Sequence, residues 1–269
     1  MLRLFLTIIL LISNGLAIAF DHKHSIWDGL LKRHVVLIDG GVSSQVDYAG
    51  LQKQHKVLGS YLKGLSAVSK QEYGRWSKAE QLAFLINAYN AFTVELVLSG
   101  YPGIKSIKDL GSIFQSPWKK RFFTLLGEKR YLDDVEHQMI RRKGVFDEPR
   151  IHFAVNCASI GCPMLLKESY KAKTLDTQLD DVTRRFLSDR SRNHYDIKRG
   201  RLSVSKIFKW YREDFESGYK GYTSLHTFFK KYAGQVSGSS RDAQKLLATG
   251  DYQIKYLDYD WRLNDLKRY

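Results

Sequence analysis

Ser77-Lys-Ala-Glu-Gln-Leu-Ala-Phe-Leu-Ile-Asn-Ala-Tyr-Asn-Ala-Phe-Thr-Val-Glu-Leu-Val-Leu-Ser99 is the stretch on which the fold turns. Ser77 followed three residues later by Glu80 is a capping box, which starts a helix by satisfying its first free N–H groups. Gly100 and Pro102 stop it. Between these signals the residues are apolar nearly all round, and such a helix belongs inside a core. At 100° per residue Glu80, Asn87 and Asn90 fall within an arc of about 80°. An apolar helix therefore carries a polar stripe. Buried amides need partners. They either brace neighbouring loops or line a pocket, and both readings expect a severe loss on Asn87→Leu.

Working outward, residues 47–70 read as a further helix ending before Gly74, and 121–132 as a hairpin turning at Gly127-Glu128. Residues 133–142 follow as a helix with Asp133 and Glu136 as its capping pair. Arg150-Ile-His-Phe-Ala-Val-Asn156 reads as a strand, and residues 157–163 as a tight loop. Residues 174–190 form an amphipathic helix and 195–203 a second hairpin around Gly200. Helices are expected over 205–216, 223–233 and 239–248, and a last strand over 252–258. Helices and short strands mix without a β-α-β rhythm. The expected fold is therefore α+β, mostly helical, with small hairpin sheets.

The chain of 269 residues is 43% apolar and 13% aromatic, enough for a substantial core. Its start resembles a secretory leader: Arg3, an apolar run from Leu4 to Ile12, then Ala17-Ile18-Ala19, with cleavage expected after Ala19. An uncleaved anchor is the alternative, but the run is well short of the ~20 residues that span a bilayer. No later segment reads as a membrane span, so the exported chain is expected in the periplasm or outside the cell. Residues 20–269 hold four prolines, no repeat and no linker, and are read as one domain.

The net charge is +15. Basic clusters such as Lys119-Lys120-Arg121 and Arg141-Arg142-Lys143 are dispersed, which favours a solvated basic surface. Export argues against nucleic acid. Anionic envelope polymers or a small-molecule substrate are the expected partners. No metal or cofactor motif occurs: there is no His-Glu-x-x-His, Cys-x-x-Cys, phosphate-cradling glycine loop or Gly-x-Ser-x-Gly elbow.

Chemistry concentrates in Asn156-Cys157-Ala158-Ser159-Ile160-Gly161-Cys162-Pro163. A thiol sits where the chain turns, and turn N–H groups would lower its pKa and bind an oxyanion. Cys157 is the candidate nucleophile. A disulfide to Cys162 is the competing reading, and it would close only a short loop. His152 and His137 are the candidate bases, with Glu136 orienting His137. On a regular strand His152 would face away from Cys157. Asn87, Asn90, Glu80, Ser159 and Arg150 are candidate binding residues. The segment from Phe208 to Phe215 reads as packing, with Trp210 and Phe215 facing the core and Glu213 or Asp214 paired with Arg212 or elsewhere.

Three of these stretches, 79–91, 132–137 and 150–163, together resemble the domain-of-unknown-function family numbered 547. Trp210-Tyr211, Asp214-Phe215 and Tyr259-Asp260-Trp261 fit its C-terminal half, so the likeness is expected to run from about 70 to 265. The family has no agreed activity. Members without a secretory signal are similar at the two-cysteine loop, which implies reduced thiols with a shared role, since cytosolic proteins do not generally keep structural disulfides. The reading that results is a cysteine–histidine hydrolase or acyl transferase acting on envelope material. A non-catalytic binding or scaffolding module is the alternative, and thiol–disulfide exchange ranks third.

Overall fold

The helix Lys78–Leu98 forms as its capping signals predict. Ser77 accepts the Glu80 N–H, and Glu80 returns a bond to the Ser77 backbone N–H at 2.8 Å. A computed structural model of the chain describes residues 19–238 and 240–266. The expected leader lies, except for Ala19, outside the described residues. Element order begins with α1 (Ser25–His34), the hairpin β1 (Val35–Ile38) and β2 (Ser43–Val46), then α2 (Tyr48–Lys53), α3 (His55–Ala67), α4 (Lys70–Gly74) and α5, the central Lys78–Leu98 helix. The hairpin β3 (Phe123–Leu125) and β4 (Glu128–Arg130) leads into α6 (Leu132–Asp134). The second half holds α7 (Leu175–Ser188), β5 (His194–Asp196), β6 (Arg201–Val204), α8 (Ile207–Trp210), α9 (Arg212–Phe215), α10 (Leu225–Lys231), α11 (Ala233–Ser237), α12 (Arg241–Thr249) and β7 (Gln253–Tyr256). The fold is α+β, mostly helical with small sheets, as expected. The largest sheet has three strands, with β6 antiparallel to β5 and parallel to β7.

One contiguous core runs through both halves. Phe84, Leu85, Ile86, Ala88 and Ala91 of α5 are wholly buried in it. α5 is long and apolar enough to cross a membrane, a length and composition not expected of any later segment, and 89% of its apolar window is buried by the rest of the protein. The second half closes on stacked phenylalanines: Phe153, Phe208, Phe215 and Phe228 meet with ring centroids 4.9–6.3 Å apart.

Four expected elements differ. The 47–70 helix is divided at Gln54 into α2 and α3, and α4 starts anew at Lys70, where Ser69 accepts the Glu72 N–H. The 205–216 helix breaks at Tyr211. The 133–142 helix has no side-chain cap from Asp133. Tyr131 precedes it, and from Val135 to Ile140 it widens into a π-helix. The 150–156 strand is instead a 3₁₀ turn, Pro149–Phe153. Pro149 presets its first dihedral and the Glu148 carboxylate accepts the Arg150 N–H at 3.1 Å. Those local bonds decide the conformation, where apolar alternation alone reads as β.

The chain end laces these parts together. Backbone bonds join Val46 N–H to Asn264, Leu266 N–H to Val46, Leu263 N–H to Lys105, Asn264 N–H to Ala158, Ile160 N–H to Arg262 and Gly161 N–H to Asp260. Tyr48 donates to the Asn264 side chain at 2.8 Å. This strap, residues 259–266, fastens the cysteine loop to the first half of the chain.

His24 makes one pH dependence explicit. It is buried, with Nδ1 2.6 Å from the Tyr61 hydroxyl, and burial pushes its pKa down to about 4. Between that value and an ordinary histidine pKa of about 6.5 the unfolded chain binds a proton that the folded chain refuses. Stability is therefore full above about 6.5 and falls as pH drops towards 4, by about 3 kcal/mol from this residue. Urea unfolding across this window should show that slope, and His24→Gln should flatten it. An unchanged slope would contradict the role.

Candidate functional site

The cysteine loop is turned by local strain and by the strap. Ala158 adopts φ +60°, a left-handed conformation that a residue with a side chain pays about 1–2 kcal/mol to enter. Gly161 has no room for a side chain: a Cβ there would lie 2.9 Å from the Asp260 nitrogen. The loop is anchored by Asn156, which donates to the Pro163 carbonyl at 2.7 Å and accepts the Ala158 N–H at 2.9 Å. The N–H groups of Ile160 and Gly161 go to the strap, and that of Cys162 to Ser159. These three turn amides already have acceptors, which takes them out of the set of oxyanion donors expected from the turn.

Side chains surround the Cys157 sulfur instead. Cys162 Sγ lies 2.7 Å away, the Tyr259 hydroxyl 3.1 Å and the Ser159 hydroxyl 3.3 Å. The Cys157 N–H donates to Cys162 Sγ at 2.8 Å. Both thiols are free. The hydrogen bond from Cys162, helped by those from Ser159 and Tyr259, outweighs burial and holds the Cys157 thiol below its ordinary range. Burial, and then the neighbouring Cys157, push Cys162 well above it. One sulfur is favoured as thiolate and the other as its donor.

Cys157 lies in the wall of a cavity of about 200 Å³, together with Cys162, Tyr259, Glu136, His137 and His152. The two histidines differ in kind. His152 is buried, and its Nε2 meets Asp214 at 2.6 Å. Burial raises the Asp214 carboxyl, but hydrogen bonds from His152 and Arg141 prevail and hold it at about 2. An ionised carboxylate only accepts, so Nε2 carries the proton and Nδ1 offers a lone pair. That Nδ1 is buried with no hydrogen-bond partner. Tyr211 stacks on the ring, with centroids 3.9 Å apart, and fixes its plane. The 3₁₀ turn makes this placement possible, since on the expected strand His152 would have faced away. Burial pushes the His152 pKa down, and Asp214 opposes this only in part.

His137 is poorly suited to be a base. Arg141 donates to its Nδ1 at 2.5 Å, which occupies the lone pair and sets a cation beside it. Glu136 does not orient His137. It is buried and lies by Tyr211, whose hydroxyl it raises after burial itself does. The widened π turn carries both residues into the cavity, a use such bulges often have. No hydrogen bond joins the Cys157 sulfur to an imidazole among the described residues.

The other candidates are structural. Asn87 donates to the Tyr170 carbonyl at 2.8 Å and accepts its N–H at 3.1 Å. Asn90 donates to the Ala154 carbonyl at 2.9 Å and accepts the Asn156 N–H at 2.8 Å. Both are braces, and neither is in the cavity wall. Glu80 caps α5. Arg150 is buried against Glu148 and Asp176, each at 2.6 Å, away from the cavity. Ser159 alone of this group touches the sulfur.

Sequence reasoning missed Asp214 as the partner of His152. It also missed Tyr211, Tyr259 and the indoles of Trp118, Trp210 and Trp261. Trp210 was expected in the core; it is 46% exposed and borders the cavity, while Phe215 is buried as expected. Apart from Trp118, these residues stand in the stretches that carry the family likeness, where residue type and spacing alone give no sign of the cavity.

The family described as "Protein of unknown function, DUF547" matches residues 73–187. The match holds the cysteine loop, His152 and Glu136, and stops short of the expected limit near 265. No curated protein matches the chain, and no solved structure does. Residues 73–187, with the thiol and its histidine, are thus a DUF547 region, as the resemblance implied.

Proposed function

We propose that the chain is a cysteine-dependent hydrolase or acyl transferase. Cys157 is the nucleophile, His152 the base, and Asp214 the residue that positions His152. The observation behind this reading is that Cys157 and His152, whose buried Nδ1 has no hydrogen-bond partner, line the same cavity. The thiol proton passes to Nδ1 as sulfur attacks an acyl carbonyl. The imidazolium, stabilised by Asp214, then protonates the leaving group, and a thioester remains on Cys157. Nδ1 next deprotonates water or an acceptor amine or alcohol, which displaces the sulfur. Catalytic pairs often tighten only around substrate, so a missing sulfur–imidazole bond is compatible with this role. The hydroxyls of Tyr259 and Ser159 are the donors nearest the developing oxyanion. The leader-like start and the basic surface support export and action on cell-envelope material.

Acylation tests the reading. p-Nitrophenyl acetate should release a burst of nitrophenolate, with the acetyl group found on Cys157 by peptide mass spectrometry. Cys157→Ser should abolish the burst, and His152→Ala should slow it by about 10²-fold or more. Acetylation at another residue, or a burst indifferent to His152, would overturn the assignment.

A second reading has its own observation, the 2.7 Å separation of the two sulfurs. It makes Cys162 the resolving thiol of a thiol–disulfide exchange. Cys162→Ala separates the two: it ends exchange but leaves the acyl-enzyme burst.

A further inference from the structure

The cavity over Cys157 differs from the rest of the molecule in charge and in material. The chain carries a net +15, yet among the described residues the cavity wall contains no lysine or arginine. It contains the carboxylates of Glu136 and Asp133. Glu136 is 5% exposed. Burial raises the Asp133 carboxyl above its ordinary range and Glu136 raises it further, against the pull of His137 and Lys119. Two carboxyl groups thus stand in the wall of a cavity in a strongly basic protein. The Arg141 guanidinium acts on Glu136, but it is held by Asp214 at 2.6 Å and does not line the cavity.

Six aromatic side chains, Tyr89, Trp118, Trp210, Tyr211, Tyr259 and Trp261, make up much of the remaining wall. Tyr259 and Trp261 lie 4.5 Å apart by ring centroid, Trp210 and Tyr259 4.9 Å, and Trp118 and Trp261 5.7 Å. Aromatic faces attract cations, indole most strongly, and several rings around one space form a cage for alkylated ammonium groups. Trp261 and the neighbouring Tyr211 already attract cations of the chain. Lys108 Nζ lies 3.8 Å from the Trp261 centroid and the Arg141 guanidinium 4.6 Å from that of Tyr211, and neither residue lines the cavity.

We infer that this cavity binds a compact organic cation, an amine or alkylammonium group caged by Trp210, Trp261 and Tyr259 and balanced by Glu136 and Asp133. A cavity of about 200 Å³ has the volume of about seven water molecules, which suits a head group or side-chain end and not a polymer chain. Resting on the reading of Cys157 as nucleophile, the cation belongs to the substrate and sets the ester or amide carbonyl beside the sulfur. Binding itself does not require that reading.

Tryptophan fluorescence of the full chain reports the cage directly. Choline and n-butylammonium should each be titrated against 3,3-dimethylbutan-1-ol, the uncharged isostere of choline. At least one cation should quench saturably, and the neutral isostere should bind about tenfold more weakly. Trp210→Ala and Glu136→Gln should each weaken the cation by about tenfold, with circular dichroism confirming that both variants fold. Cys157→Ser should bind as the parent does, so a failed acylation with intact cation binding separates the two proposals. Absence of saturable binding by both cations, or equal binding of the neutral isostere, would sink the inference.

Discussion

Asn87→Leu should cost the fold about 2–6 kcal/mol, because it leaves two buried backbone groups with no partner at about 1–3 kcal/mol each. Asn87 holds both the carbonyl and the N–H of Tyr170, 83 residues away, and is itself fully buried. Leucine has similar bulk, so the loss is one of hydrogen bonding and not of volume. Against a typical domain stability of 5–15 kcal/mol, this is enough to leave part of the preparation unfolded. The midpoint of chemical denaturation measures it. Asn90→Leu should cost a similar amount, since it frees the Ala154 carbonyl and the Asn156 N–H. It should also disturb Cys157, the next residue, as Asn87→Leu should not. A loss well under 1 kcal/mol at Asn87 would show that the amide is not a brace.

Cys162→Ala should move the pH profile of Cys157 alkylation upward. In the parent, Cys162, Ser159 and Tyr259 donate to the sulfur and hold its thiol below the ordinary range, Cys162 most of all. Because the thiolate is the reacting form, iodoacetamide should modify Cys157 at a lower pH than an ordinary thiol of pKa about 8.5. Removing a donor to the charged form raises the pKa. The midpoint therefore shifts to higher pH and the rate near neutrality falls several-fold, although the smaller side chain opens more room. Tyr259→Phe should shift it the same way by less. The parent should show one fast thiol per chain, since Cys162 is held well above the ordinary range. A midpoint in Cys162→Ala equal to or below that of the parent would refute the donor role.

The α5 helix was legible to its ends because its signals are local: a serine, a glutamate three residues on, and a glycine and proline after it. The hairpins expected at 121–132 and 195–203 were legible through the local signal of a glycine at each turn, whereas the β1–β2 hairpin went unread. The 150–156 segment was not, because its apolar alternation is the strand signature, while the bonds that decide it come from Glu148 beside it and from Asn90 far away. The thiol was legible by type and place, but its chemistry was not. His152 reaches the cavity wall because of that turn, and its partner Asp214 lies 62 residues on. Tyr259 meets the sulfur across 102 residues. Such meetings are products of the tertiary fold, which no spacing rule encodes.

The lacing of residues 259–266 across the cysteine loop makes the surroundings of Cys157 a late product of translation. A ribosome that has reached residue 250 has already made both sulfurs and the imidazole of His152, yet has supplied neither the phenol beside the sulfur nor the indole of Trp261. Cutting the polypeptide before residue 259 should therefore strip the Cys157 thiol of its phenolic neighbour while much of the helical framework stands.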